Sequence, residues 1–443
     1  MKKFIRLFCT LLTGIIVTTS CSCSKKKYYS GEYNYETDCQ YSYCSNILSW
    51  KYIQSDGSGQ YIYKKNFIYY YNMKTHTMTP VCNKANCLHD KETSDDRREE
   101  CNAYCFEEGM ERMNTYIQYY EGNIYYADGD SLYRLSADGS KKDVVFSTEE
   151  GMLIYDWLLH RGIFYYVTEP YYNKEGDKVE DTQGEDEEKK EKVYKKCILK
   201  AIPVSSSMKE KDAEVIFEND NEHNVLTFGP LKAYKNYICY GVIANENDFK
   251  MTDNESWLRQ VDAKTYVYNT ETGENKVIPV PKGYTDTTKI SEIVFLKDKI
   301  LVELYDNLED EEYKMPIYSM NYDLTEEKIW LDQVEQDKLV QSYGDYVIIS
   351  DSDIQYFLKE NQESANVDIY NEKGERISYF VYPFNVMGTF TGFGPDGINV
   401  EFKETDDSLE VYELPFDKVK NCHGETVEPE LVAERAYKVQ ESE

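Results

Sequence analysis

Gly122-Asn123-Ile124-Tyr125-Tyr126, then Leu132-Tyr133-Arg134-Leu135, then the turn Asp138-Gly139 and Val144-Val145-Phe146: this stretch decides the fold. Its apolar positions are β-branched or aromatic, residue types that fit a pleated, half-buried surface. Gly and Asp-Gly supply the positive φ that tight hairpin turns need. The stretch therefore reads as three short antiparallel strands joined by turns. The same order recurs downstream. Gly162-Ile163-Phe164-Tyr165-Tyr166 leads to Cys197-Ile198-Leu199 and Val215-Ile216-Phe217. Asn236-Tyr237-Ile238-Cys239-Tyr240 leads to Tyr266-Val267-Tyr268, the Thr272-Gly273 turn and Val277-Ile278. Lys299-Ile300-Leu301-Val302 leads to Ile317-Tyr318-Ser319-Met320 and Ile329-Trp330. Asp345-Tyr346-Val347-Ile348-Ile349 leads to Val367-Asp368-Ile369-Tyr370, Lys373-Gly374 and Ile377-Ser378-Tyr379-Phe380. Gly397-Ile398-Asn399-Val400 leads to Leu409-Glu410-Val411-Tyr412. Upstream, Tyr61-Ile62-Tyr63 and Phe67-Ile68-Tyr69-Tyr70-Tyr71 form a less regular first copy.

That makes seven copies. No long stretch between residues 55 and 418 holds a 3.6-residue period. A repeat of several tens of residues with about four strands per unit predicts an all-β chain. The expected fold is a β-propeller of mostly antiparallel four-stranded blades, seven in number, with six or eight as alternatives; two packed β-sandwiches would also satisfy the spacing. The propeller is expected over residues 55–418, after a lead-in at 21–54 and before a tail at 419–443. Within that tail, Glu428 to Val439 favours a short helix by composition. Residues 171–192 form a charged insertion, NKEGDKVEDTQGEDEEKKEK at its centre, expected to be a solvated hairpin extension. Its carboxylates lack the alternating spacing that wraps calcium.

The composition narrows the function classes. Of 443 residues, 81 are acidic and 50 basic, for a net charge of -31. Such a surface repels phosphate backbones, so no nucleic-acid partner is expected. A 41% apolar content is too high for a disordered chain. Tyrosine is the outlier, 43 against 17 Phe and 4 Trp, enough to line a binding face as well as to pack strands.

The N-terminus reads as an export signal. Lys2, Lys3 and Arg6 precede an apolar run from Leu7 to Val17 that is too short to span a bilayer. Thr18-Thr19-Ser20-Cys21 follows, small residues before a cysteine, which resembles the bacterial lipobox. The resemblance implies a signal peptide over residues 1–20 and a lipid on Cys21, with Cys23 as the competing position. Lys25, Lys26 and Lys27 suit an anionic membrane surface. The mature chain is then expected on the extracytoplasmic face of the cell membrane.

An exported chain permits disulfides. Cys39 and Cys44 lie close enough in sequence to pair, whereas Cys197 and Cys239 fall inside expected strands and read as small buried residues. The dense cluster lies in an excursion over residues 80–106: Pro80-Val81-Cys82-Asn83-Lys84-Ala85-Asn86-Cys87-Leu88-His89-Asp90, then Glu100-Cys101-Asn102-Ala103-Tyr104-Cys105. With its Cys-x4-Cys-x-His and Cys-Asn-Ala elements the chain resembles a family of uncharacterised propeller-type lipoproteins from anaerobic Gram-positive bacteria. These share the signal, the tyrosine-rich blades and a motif of this kind between the first two blades. The resemblance implies no activity. Two chemistries remain open for the cluster. Cys82, Cys87, Cys101 and Cys105 could pair as disulfides, the preferred reading, because exported cysteines usually oxidise. Alternatively, Cys82, Cys87, His89 and Cys101 could surround zinc.

Catalytic patterns are weak. His76, His89, His160, His223 and His423 form no His-x3-His pair, and each reads as a surface residue. Gly392-Phe393-Gly394-Pro395-Asp396-Gly397 matches Gly-x-Gly-x-x-Gly but precedes a strand, so it lacks the helix N-terminus that would hold a pyrophosphate. No cofactor is expected. The function expected is a membrane-anchored module that binds a protein, peptide or glycan, with no catalytic residue singled out. The alternative is a carbohydrate-active or other hydrolase using acidic residues near the propeller channel.

Overall fold

The computed structural model describes residues 39–41, 53–55, 58–64, 66–92, 94–105, 117–170, 197–219, 223–246, 261–284, 287–306, 314–335, 338–351, 364–383, 393, 397–405 and 408–436. Seven sheets are arranged in a ring, the architecture of a seven-bladed β-propeller. Blade 1 is Ile53–Ser55, Gly59–Lys64, Phe67–Asn72 and Thr77–Pro80. Blade 2 is Ile117–Tyr120, Asn123–Asp128, Ser131–Ser136 and Lys142–Ser147. Blade 3 is Met152–His160, Ile163–Pro170, Ile198–Pro203 and Glu214–Glu218. Blade 4 is built on Tyr237–Glu246, which pairs with His223–Phe228, Lys232–Tyr234 and Asp262–Asn269. Blade 5 runs from Lys289–Phe295 to Lys328–Glu335, and blade 6 from Lys338–Tyr343 to Arg376–Pro383. Blade 7 pairs Ile398–Glu404, Ser408–Pro415 and Glu430–Ala436.

The repeat quoted above maps onto blade 2 strand by strand. Tyr126 and Tyr133 are cross-strand partners, with rings stacked at 4.9 Å. The hydrophobic residues of each blade meet those of the next blade, so the core is a chain of inter-blade clusters. Directional ties reinforce the seams between consecutive blades. The Gln118 amide in blade 2 donates to the Leu159 carbonyl and accepts from the Leu159 amide, both at 2.7 Å. Asp156 in blade 3 accepts the amide of Leu231 at the start of blade 4 at 2.7 Å. Lys232 pairs with Glu292 between blades 4 and 5. The Trp330 indole in blade 5 donates to the Glu372 carbonyl at 3.0 Å beside blade 6.

Three expectations are corrected. The C-terminal segment is strand, not helix: Glu430–Ala436 pairs antiparallel with Ser408–Pro415, and His423–Thr426 adds parallel to Arg376–Pro383. Helix propensity yields here because an unfilled sheet edge offers a ladder of backbone hydrogen bonds and an apolar face. The sheets therefore extend past residue 418. His160 is fully buried, its Nε2 2.6 Å from the Lys235 carbonyl, so it is a packed inter-blade residue. Lead-in residues Cys39–Tyr41 pair antiparallel with Lys232–Tyr234 in blade 4. Cys21, Cys23, Cys44 and the insertion at 171–192 lie outside the described residues, as does the side chain of Cys39.

Candidate metal centre

The excursion begins where blade 1 ends. The Val81 amide donates to the Ile68 carbonyl, and the Cys82 amide to that of Pro80. A turn closed by the Cys87 amide on the Lys84 carbonyl brings Cys87 back towards Cys82. Asn86 and His89 take the left-handed conformation, φ 63° and 57°. Asn and His enter that region more readily than most residues, and at His89 the turn leaves the ring facing Cys101. His89–Lys91 form one turn of 3-10 helix, Asp95–Glu99 a short α-helix, and the Cys101 amide closes on the Arg98 carbonyl. The chain then returns along blade 1, with the Ile68 amide on the Ala103 carbonyl and the Cys105 amide on that of Asn66.

This path brings four side chains together. The Sγ atoms of Cys82, Cys87 and Cys101 and a ring nitrogen of His89 all lie within 4.8 Å of one another. His89 Nδ1 is 3.6 Å from Cys101 Sγ. Cys101 is buried and the other three are half-buried. Among the described residues this is the only such convergence of three or more His, Cys, Asp or Glu side chains. Cys105 stands apart, buried, with its thiol on the Asn66 carbonyl. The seven cysteines with described side chains are free thiols, so no disulfide joins Cys82, Cys87, Cys101 and Cys105 here.

The local field is uneven. Burial opposes ionisation of Cys82, but hydrogen bonds from the Lys84 and Asn102 amides and from the neighbouring thiols outweigh it and lower its pKa. Burial dominates at Cys101 and raises its pKa. Burial also lowers His89, with Asp90 opposing and Arg435 assisting, which favours the neutral imidazole.

The excursion is wedged between three blades. On one side Asn102 Nδ2 and the Asn83 amide donate to the Gly139 carbonyl of blade 2. Gly139 sits at φ 70°, and a Cβ there would fall 2.6 Å from the Cys82 nitrogen, so only glycine allows this approach. Lys142 Nζ donates to the carbonyls of Cys101 and Tyr104. On the other side Asp90 takes a two-pronged ion pair from Arg435 of blade 7, both Nη2 contacts at 3.0 Å. The Arg435 guanidinium also donates to the Met78 carbonyl and lies over the Tyr69 ring of blade 1. Sequence reasoning missed Asp90, Arg435, Gly139 and Lys142 as supports of this cluster. Asp90 stands beside His89, yet nothing local signals a partner 345 residues away.

The buried carboxylates are largely committed to structural contacts. Asp156 accepts the amides of Trp157 and Leu231. Asp306 accepts the hydroxyls of Thr287 and Thr288. Asp351 takes Lys338 and the side chain and amide of Asn366. Glu303, only half-buried, differs: loss of hydration pushes its carboxyl up to about 8, against a hydrogen bond from Ser291 and the charge of Lys232. Its cross-strand partner is Glu292, which is paired with Lys232.

The fold thus defines a seven-bladed propeller. No family model and no curated protein matches the chain. Among solved structures it is similar to an oligogalacturonate lyase in complex with manganese, with a TM-score of 0.49 and 13% identity over 85% of this chain and 89% of that one. An oligogalacturonate lyase from Vibrio parahaemolyticus gives 0.45 and 12% identity over 86% and 88%. A prolyl endopeptidase structure gives 0.46 and 10% identity, over 91% of this chain but 50% of that one. These are likenesses of fold, and no activity is carried over from them.

Proposed function

We propose that this protein is an exported, lipid-anchored propeller that holds a protein, peptide or glycan partner at the cell surface. The observation that carries this reading is the use of Asp156, Asp306 and Asp351 to tie strands and blades together, which leaves binding through the loops and rims as the function the ring serves best. The signal sequence and Cys21 support membrane anchoring. The test is incubation of the exported chain with panels of glycans and peptides, scored for both binding and cleavage. Saturable binding without turnover is expected; cleavage of a bound member would overturn the reading.

A hydrolase is the second reading, and Glu303 is the observation that favours it. A carboxyl held protonated near neutrality, across the strands from a Glu292 paired with Lys232, offers the division of labour that acid–base hydrolysis needs. If cleavage is found, Glu303→Gln should abolish it while leaving binding in place.

A further inference from the structure

We propose that Cys82, Cys87, His89 and Cys101 bind one zinc ion, and that the ion locks the seam where the propeller ring closes.

The donor chemistry comes first. Three sulfurs and one imidazole nitrogen make a complete tetrahedral set, the composition of closed structural zinc sites. With Zn–S bonds of about 2.3 Å, the sulfurs of such a site stand roughly 3.8 Å apart. The four ligand atoms here lie within 4.8 Å of one another, so small side-chain movements close the tetrahedron. Coordination would convert three thiols to thiolates and release three protons to solvent, leaving a net charge of -1 on the ion and its ligands. Cations already stand round it in an otherwise acidic chain. Lys142 holds the carbonyl of Cys101, Lys84 that of Glu100, and Arg435 grips Asp90 beside the histidine ligand.

Disulfide chemistry accounts for less of this arrangement. A bridge between any two of the three cysteines leaves the third thiol packed against an imidazole with no role for either. It also gives no reason for the His89 ring to stand 3.6 Å from the thiol of Cys101. A metal uses all four groups at once.

The position gives the ion its consequence. Cys82 abuts Gly139 of blade 2, the thiols sit against the apolar cluster shared by blades 1 and 7, and Asp90, next to the histidine, pairs with Arg435. One ion therefore fixes the contact surface of three blades, including the two at opposite ends of the chain.

The test uses the whole chain purified under reducing conditions, with elemental analysis and then replacement of zinc by cobalt(II). One zinc per chain is expected, and the cobalt form should show the intense visible bands of tetrahedral thiolate coordination. His89→Ala and Cys101→Ser should each lose at least nine-tenths of the metal, roughly a tenfold or greater fall in affinity, whereas Cys422→Ser should keep it. Chelation should lower the melting temperature by about 5 °C or more. Asp90→Asn keeps every ligand, and in that variant the chelator-induced shift should shrink, because the metal is uncoupled from blade 7. A chain without stoichiometric metal under these conditions, or one holding a Cys82–Cys87 or Cys82–Cys101 bridge by mass spectrometry, would overturn the site. A full chelator shift in Asp90→Asn would overturn the coupling to ring closure.

Discussion

Between blades 2 and 3 the seam is aromatic: Phe146 packs edge-on to Phe164 at 5.3 Å and against Tyr166 at 4.8 Å, with Trp157 buried beside them. Between blades 7 and 1 the seam keeps an apolar floor of Tyr69, Tyr71, Val400, Leu409 and Val411 but adds polar clasps. Tyr71 donates to Glu413 at 2.7 Å, and Arg435 grips Asp90. The difference follows from the chain. Blades 2 and 3 are consecutive and close in sequence, so apolar packing needs only the Gln118–Leu159 pair beside it to dock them. Blades 7 and 1 meet across 342 residues of sequence, at the largest loop-closure cost in the ring, and a seam that could slip needs bonds that set its register.

This contrast can be broken by substitution. Trp157→Ala should have the largest effect, about 3–5 kcal/mol of stability lost, since it empties a fully buried site at the aromatic seam. Denaturant unfolding that shows under about 1 kcal/mol would mean that aromatic burial does not hold that seam.

Asp90→Ala should cost about 2–4 kcal/mol, because it strands the partly buried Arg435 guanidinium. The paired change Asp90→Leu with Arg435→Met should recover much of that loss. If the double variant is as unstable as the sum of the singles, the clasp does not act as a pair.

The seam between blades 4 and 5 sharpens the comparison through pH. Burial raises the Glu303 carboxyl from 4.5 to about 8. Between those values the unfolded chain has released a proton that the folded chain keeps, so this group makes stability fall as pH rises across that window. Glu303→Gln should flatten the slope and be more stable than the parent at pH 9, because it removes a carboxyl that must ionise in the folded chain. A parent whose stability is level from pH 5 to 8 would show that Glu303 ionises normally.

Tyr71→Phe is the mildest change. It removes the hydroxyl bonded to Glu413 and His76 but keeps the ring, so about 1 kcal/mol should be lost. A loss equal to that of Asp90→Ala would make the hydroxyl, not the ion pair, the main clasp.

What could be read from the sequence was whatever is encoded locally. Period-two aromatic strands and Gly turns specify hairpins within a few residues, so the copies from Phe67 to Tyr412 landed in the correct blades. The terminal segment failed because Glu430 to Ala436 carries helical composition, and the neighbouring edge of Ser408–Pro415 outweighs it. His160 read as a surface residue because a lone histidine carries no local mark of burial; the Lys235 carbonyl that receives it belongs to the next blade.

The cysteine cluster divides the same way. The spacing of Cys82, Cys87 and His89 already placed three ligands within one turn-rich segment, and it left disulfide and metal both open. The sequence offered Cys101 as the fourth member of the metal alternative but could not say whether the four meet. The tertiary path carried Cys101 to the group and Cys105 away to Asn66. It also laid the segment across Gly139 on one side and Arg435 on the other. Propensity and turn chemistry act over a few residues, so sequence determined the strands, the turns and the repeat. Ring closure sets partners hundreds of residues apart, and only the assembled propeller determined which side chains meet at its seam.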